Sequence, residues 1–381
     1  MADARNGTRP HVVHLSNLHH WDDVRVFQRE CCTLSQHGFR VTLIAKSSTA
    51  RTESNVEIVP APPLRGRVHR ILFGIPRALS AAWKQRADFY HLHDPELVLL
   101  APILRLRGAR VIFDAHEDLP VQVLHKHYLT TATRRLASLL AKALCWTASR
   151  SCDHIIAATS TIAEQFPSKK TTIVHNYPKL MDKVDDATPY QERSHSIVYV
   201  GGISTSRGIR EMLSALEFLP EPWHLTLAGP VNPPTLLDEL QEFPGWTRVD
   251  FHGRVTPDEA RKLVAQARIG FVTLHPTPAY VDALPTKLFE YMAAGIPAVV
   301  SDFPLWRDIV ESLDCGILVD PNDTSAIAEA AKALIEDPAR AEQMGQNGRR
   351  AIAGEINWSR EKEKLLNVYQ SALSKDDSMQ A

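Results

Sequence analysis

Cysteine is scarce: five in 381 residues, at Cys31, Cys32, Cys145, Cys152 and Cys315, an odd number with no CxxC pair. That excludes a disulfide framework and a clustered zinc site, and it predicts reduced thiols buried as small apolar residues in a cytoplasmic chain. No run approaches the roughly 18 consecutive apolar residues of a membrane span. Met1 to Pro10 is polar and lacks the apolar core of a signal peptide. HExxH is absent, no strand leads into GxGxxG, and no Asp-x-Asp pair closes a convincing strand. These absences argue against a metalloenzyme and a dehydrogenase, and the expectation is that no metal ion takes part in catalysis. A net charge of −1 and the lack of low-complexity tracts give no sign of a nucleic-acid partner or of disorder.

The composition, 44% hydrophobic and 23% charged, is that of a folded protein, and the length favours two domains. The near-zero net charge hides an asymmetry. Through Tyr190 there are 25 Lys and Arg against 17 Asp and Glu, and after it 18 against 27. Either the halves meet different partners or they attract one another.

Short apolar runs alternate with amphipathic stretches, the pattern of strand–helix repeats and parallel sheets. His11–Ser16, Arg40–Ala45, Phe89–His93, Ala109–Phe113, His154–Ala158 and Thr172–His175 read as strands of the first half. A helix over Val24–His37 is capped by Asp22 or Asp23 and stopped by Gly38, and Asp94-Pro95 opens another reaching about Arg107. Residues 177–195 are polar and aperiodic and read as a linker. The alternation restarts at Ser196–Val200 and runs through His224–Ala228, Val249–His252, Ile269–Thr273, Ala298–Val300 and Ile317–Val319. The expected fold class is α/β, with two facing Rossmann-like doubly wound domains around a cleft. They span 1–190, basic and on the acceptor side, and 191–358, which binds the nucleotide, and a helix at 359–381 crosses back to the first. Such folds place ligands at the carboxyl ends of their strands.

Four segments carry chemistry. In DALPTKLFEYMAAGIP, from Asp282 to Pro297, Thr286 can cap a helix whose first turn holds Lys287. Lys opposes the helix dipole there, so it answers an anion better than it stabilises the helix. Glu290 shares its face, and a plain Lys–Glu surface pair is the competing reading. In Tyr199-Val200-Gly201-Gly202-Ile203-Ser204-Thr205-Ser206-Arg207-Gly208, a strand meets a Gly pair whose amides can cradle phosphate, and Arg207 can hold two phosphate oxygens. An ordinary tight turn fits the Gly pair equally well. Asp114-Ala115-His116-Glu117-Asp118 closes a first-half strand, where Glu117 and Asp118 could orient an acceptor. Leu18 to Arg25, with Trp21-Asp22-Asp23, either caps a helix or meets hydroxyl groups. His275 follows a second-half strand and could border the base or sugar.

The Asp282–Pro297 segment resembles the donor-binding signature of retaining glycosyltransferase family 4 (glycosyl transferases group 1), whose fold is GT-B. That signature is an acid, seven residues, Glu, then a small-residue turn: here Asp282, Glu290 and Ala293-Ala294-Gly295-Ile296-Pro297. The family more often has Glu at the first position. The resemblance implies that Asp282 contacts the donor sugar, Glu290 the ribose and Lys287 the phosphates. Gly201-Gly202 resembles the diphosphate loop, with Gly202 where the family has Arg and Arg207 at its Lys position. That leaves Arg207 and Lys287 as the diphosphate cations. His116 resembles the strand-end His that reaches the donor sugar near the reacting carbon. His91-Leu92-His93-Asp94-Pro95-Glu96 resembles the strand-end HxHD region, with Asp94 as a cap, and Val174-His175-Asn176-Tyr177-Pro178 the Asn turn before the linker.

The implied activity is transfer of a hexose or N-acetylhexosamine from a nucleotide sugar to a saccharide or lipid-linked acceptor, in cell-surface polysaccharide or glycoconjugate synthesis. A UDP sugar is the first expectation for the donor and GDP-mannose the second, with no separate cofactor. An epimerase of the same fold and a non-catalytic sugar-nucleotide-binding partner are the alternatives. Residues 64–86 mix Arg and Lys with apolar positions at helical spacing, so a peripheral contact with the inner face of the membrane is a further expectation, against a helix simply packed on its own sheet.

Overall fold

The computed structural model describes residues 9–61, 69–117, 119–120, 131–179 and 188–379. It divides into two compact units, Met1–Asn176 with Trp358–Ala381, and Tyr177–Asn357. Asp118, residues 64–68 of the basic stretch and 180–187 of the linker lie outside the described residues.

The first unit is built on an eight-stranded sheet: β1 His11–His20, β2 Arg40–Lys46, β3 Arg51–Glu53, β4 Val56–Ala61, β5 Phe89–Leu92, β6 Arg110–Ala115, β7 His154–Ala157 and β8 Thr171–Ile173. Their order is β3-β4-β2-β1-β5-β6-β7-β8, and every pairing is parallel except β3 with β4. The unexpected β3–β4 hairpin turns on Ser54 and Asn55, both in the left-handed region at φ 50° and 59°.

Both faces of this sheet are buried, so its strands are apolar throughout instead of alternating. Val13, Leu15, Tyr90, Leu92 and Val111 point to one layer. Val12, Phe89, Ile112 and Ile156 point to the other. The second layer holds α1, which begins with π-type turns at Val24–Cys31 and continues over Cys32–Gln36. The first layer holds α2 (Ile75–Gln85), a 3-10 turn at Pro95–Leu100 leading into α3 (Ala101–Arg105), and α4 (Thr131–Ser151).

The second unit has a six-stranded parallel sheet: β9 Ser196–Val200, β10 His224–Ala228, β11 Val249–Gly253, β12 Ile269–Val272, β13 Ala298–Ser301 and β14 Gly316–Val319, ordered β11-β10-β9-β12-β13-β14. Helix α5 (Ile209–Leu216) follows the β9 loop, and α6 (Thr286–Ala294) lies between β12 and β13. The last helix, α7 (Trp358–Met379), packs in the first unit. Its Trp358 Nε1 donates to Thr33 Oγ1 at 2.9 Å, and Tyr369 lies in the α1 layer.

The boundary falls at 176/177, ahead of the expected 190. Tyr177 stacks edge-on against Phe289 at 5.1 Å, and Tyr190 donates its hydroxyl to the Arg268 carbonyl at 3.2 Å. The polar composition of 177–195 concealed these anchors. Chain order reverses between β1 and β5 in the first sheet and between β9 and β12 in the second. Loops at the carboxyl ends of those pairs are where doubly wound sheets take ligands.

Candidate functional site

In the second unit the β9 and β12 ends and the start of α6 bring four of the expected residues together. Gly201 has φ of +148°, and a Cβ there would fall on the Lys287 Nζ and Cε. A Cβ on Gly202 would lie 3.9 Å from the Arg207 Cζ. The two cations therefore converge on the Gly pair. Gly208, at φ +69°, turns the chain against the Thr273 carbonyl, where any side chain would collide, and so sets Arg207 at the mouth of α5.

Two tyrosines hold the cations. The Arg207 guanidinium lies 5.6 Å from the centre of the Tyr280 ring, and the Lys287 ammonium 5.5 Å from that of Tyr199. Tyr199 also donates its hydroxyl to the Gly202 carbonyl at 2.8 Å, which fixes the loop. Burial pushes the Tyr199 hydroxyl up to about 12, so it stays a neutral donor. Burial depresses the Lys287 ammonium, with Glu290 pulling it back up and Arg207 adding to the depression. Neither Arg207 nor Lys287 forms an ion pair with any described residue. Two positive charges held together without an ion-paired acid are poised for a dianionic group.

The helix start is also open. Pro285, not Thr286, is the N-cap of α6, and no side chain caps it. The Thr286 N–H is spent on the Leu284 carbonyl at 2.9 Å, which leaves the Lys287 and Leu288 amides to an anion. Glu290 and Asp282 are both exposed. Gly295 ends α6 in the left-handed conformation at φ +68°, so the small-residue turn serves the helix exit. His275 turns toward Glu211, its Nε2 3.1 Å from the carboxylate, and its N–H donates to the Ser206 carbonyl.

The first unit holds a second polar centre, which the sequence only partly revealed. Asp114, buried at the end of β6, receives the Arg25 guanidinium in a two-pronged pair at 2.9 and 2.7 Å. His116 Nε2 lies 3.2 Å and His93 Nδ1 3.4 Å from the same carboxylate. His93 Nε2 in turn meets His14 Nδ1 at 2.9 Å. Glu30, fully buried, stands 3.2 Å from the Arg25 Nε. Burial raises the Asp114 carboxyl, but Arg25 first and His116 next overcome it and hold it well below the usual range. Glu30 is pushed well above that range by burial and by Asp114, so it keeps its proton while Asp114 carries the charge.

One cap follows expectation and one does not. Of the two candidates Asp22 and Asp23, it is Asp23 that caps α1, accepting the Arg25 and Val26 N–H groups at 2.9 Å each. Asp94 makes no cap; its carboxylate accepts the Asn17 and Leu18 N–H groups and the Ser16 hydroxyl, tying the β1 loop to β5. Leu18, His19, Asp94, His116 and Glu117 border a cavity of about 220 Å³ whose other wall is apolar, with Val98, Phe113 and Phe166.

Among the described residues, donor atoms within 4.8 Å of one another could hold a metal ion in two groups: His14, Glu30, His91 and His93, and His93, Asp114 and His116. The second is already served by Arg25. A pH dependence follows from these side chains. Burial depresses His14, His91 and His93, and it lowers His116 to about 3. Unfolded histidines bind protons near pH 6.5 while these do not, so stability falls as pH drops below 6.5, by about 2 kcal/mol for His116 at pH 5. Asp94, raised to about 6, Glu30, and His19, raised against its burial by Asp23, act in the opposite sense, while His11, lowered by burial, adds to the four. A lower Tm at pH 5 than at pH 7.5 is the expected result; an equal or higher Tm would contradict it.

Residues 24–176 match the model of Glycosyltransferase Family 4, and residues 182–351 that of Glycosyl transferases group 1. The α-maltose-1-phosphate synthase of Mycolicibacterium smegmatis is 28% identical over 185 residues, which are 45% of this chain and 47% of that protein. The chain thus spans about half the length of such curated relatives. Sucrose-phosphate synthase of Thermosynechococcus elongatus superposes with a TM-score of 0.77 at 19% identity, covering 97% of this chain and 100% of that one. Anabaena HepE in complex with UDP-glucose gives 0.68 at 14% identity over 95% and 99% of the two chains.

Proposed function

The chain belongs to the family 4, group 1 glycosyltransferases of GT-B fold, and from that premise we propose that it moves a hexose or N-acetylhexosamine from a nucleoside-diphosphate sugar to a saccharide or lipid-linked acceptor. The reaction retains anomeric configuration and uses no catalytic metal. The observation that carries this reading is the pair Arg207 and Lys287, converging on Gly201-Gly202 without an ion-paired acid among the described residues.

Departure of a nucleoside diphosphate builds negative charge on the leaving oxygens. Two fixed cations, the Gly202 amide and the uncapped start of α6 meet that charge without reorganising, while the Gly201 N–H is spent on the Ala228 carbonyl. This supplies the stabilisation that a divalent ion provides in other transferases. Glu290 takes the ribose and Asp282 the donor sugar, as the signature implies. His116 is neutral at pH 7, since burial lowers it to about 3, so its part is to hydrogen-bond the sugar, not to charge it. UDP is the first choice of nucleotide, in keeping with the UDP-glucose of Anabaena HepE. Cell-surface polysaccharide or glycoconjugate synthesis is the setting that suits such an enzyme.

A thermal-shift screen of UDP, GDP, ADP and the corresponding sugars tests the donor. One nucleotide at 100 times its Kd is expected to stabilise the chain by about 2.7 kcal/mol. NMR of the stabilising sugar with enzyme alone should show its stereocentres unchanged. Epimerised donor, or no stabilisation by any nucleoside diphosphate, would overturn the proposal.

A further inference from the structure

Thirteen large apolar side chains are exposed among the described residues, and ten of them lie between Leu72 and Trp146. All ten belong to one layer: α2 with the turn before it, the Pro95–Leu106 segment, and α4, which pack side by side on one face of the first sheet. Their inner sides are spent on that sheet through Ala78, Ala82, Leu97, Leu104 and Ala148. Their outer sides all face away from it.

Helix α4 makes the point most clearly. Ser138, Ala141 and Ala148 face inward, while Leu136, Leu139, Leu140 and Trp146 are each about 60% exposed, following one another at helical spacing. A helix apolar on both sides is ordinarily sandwiched in a core, and this one is not. Leu106, beside it in the layer, is 88% exposed.

The charge of the same layer is almost all of one sign. Residues 69–87, 95–107 and 131–152 contain ten Lys and Arg and a single acid, the buried Glu96. Because the whole stretch to Tyr190 exceeds neutrality by only eight, the basic excess of the first half resides here. Two of these cations sit on the exposed indoles: the Arg107 guanidinium is 3.9 Å from the centre of Trp83, and that of Arg150 is 5.5 Å from Trp146. An indole with a cation beside it, set among leucines, matches the boundary between headgroups and acyl chains. A nucleic acid would take the cations but leave the leucines in water.

We propose that the outer face of α2, the 95–106 segment and α4 is a docking platform for an anionic lipid surface. Trp83, Leu106, Leu140 and Trp146 enter the interface, and Arg107, Lys142 and Arg150 meet the phosphates. No helix among the described residues is long and apolar enough to cross a membrane, so the contact is peripheral. The sequence pointed only to residues 64–86; the platform extends that contact across three segments and centres it on α4. It does not depend on the donor reading, because every residue of it lies in the first unit.

Flotation of the full chain with vesicles decides the matter. Vesicles of phosphatidylcholine with about one-third phosphatidylglycerol should carry the protein up, at least tenfold better than phosphatidylcholine alone, and about 0.5 M NaCl should release it. Lys142→Gln with Arg150→Gln should weaken binding roughly 30-fold, since each cation near an anionic surface counts for about fivefold. Leu140→Ser with Trp146→Ser should do the same while circular dichroism and nucleotide binding stay at wild-type values. Failure to float with the anionic vesicles, equal binding by all variants, or a salt-resistant dimer in light scattering that buries Trp146 would each overturn the proposal. Loss of nucleotide binding with flotation intact would count against the donor site alone.

Discussion

Lys287→Ala is expected to lower kcat/KM by roughly 10²-fold or more while leaving the fold as stable as before, or slightly more so. The two halves of that expectation come from one cause. The ammonium is substantially buried, stands near the Arg207 guanidinium, and forms no ion pair among the described residues, feeling Glu290 only at longer range. Holding it there costs folding free energy, which the free protein does not recover. Were it half of a Lys–Glu pair on the surface of α6, its loss would cost about 0.3–0.5 kcal/mol of stability and little activity. Arg207→Ala should behave likewise, and Arg207→Lys should recover only part of the rate, because a lysine cannot make the two-pronged contact. Measuring kcat/KM and Tm on the same preparations separates the two readings.

Asp114→Asn should produce the opposite pattern, with large losses of stability. It removes the buried carboxylate that Arg25 and two histidines share. Stranding a buried guanidinium costs about 3–5 kcal/mol. For a unit of this size that lowers Tm by on the order of 10 °C. Glu30 does not take over the charge without cost, because it would have to surrender a proton that burial holds on it. A double change, Asp114→Asn with Arg25→Met, should be milder than the sum of the two single changes, since it removes both charges at once. Additive effects in denaturant melts would show that the pair is not the unit described here.

The gathering of Gly201, Gly202, Arg207 and Lys287 at one strand-end cluster was legible in the sequence because these residues fall in two short segments with spacing that phosphate binding would demand. Gly201-Gly202 to Arg207 is a single loop, and Asp282 to Glu290 a single helix start. What remained hidden was the reason the cations are held: Tyr199 and Tyr280 read as ordinary aromatic residues, and only the fold sets them beside Lys287 and Arg207. The Arg25–Asp114 pair is separated by 89 residues and joins a helix start to a distant strand end. Nothing in local spacing connects the two. A basic residue directly after Asp22-Asp23 was the available signal, and its burial was not.

Caps failed for a related reason. Thr286 and Asp94 are the residue types that cap helices, yet each position is decided by competition. Pro285 takes the N-cap of α6, and Asp94 is drawn away to the β1 loop amides. The platform on α4 escaped notice because a helix apolar on two sides looks in sequence like one that is buried on both. The strands, by contrast, were plain, since parallel sheets covered on both faces demand the unbroken apolar runs that the sequence shows.

Calorimetric titration of the wild-type chain and Lys287→Ala with a nucleoside diphosphate and its monophosphate tests the pyrophosphate grip directly. The expected outcome is that the diphosphate binds at least tenfold more tightly than the monophosphate, and that Lys287→Ala abolishes this advantage while monophosphate binding survives. Equal affinity of the two nucleotides for the wild-type chain, or an advantage untouched by the substitution, would show that Arg207 and Lys287 hold no pyrophosphate.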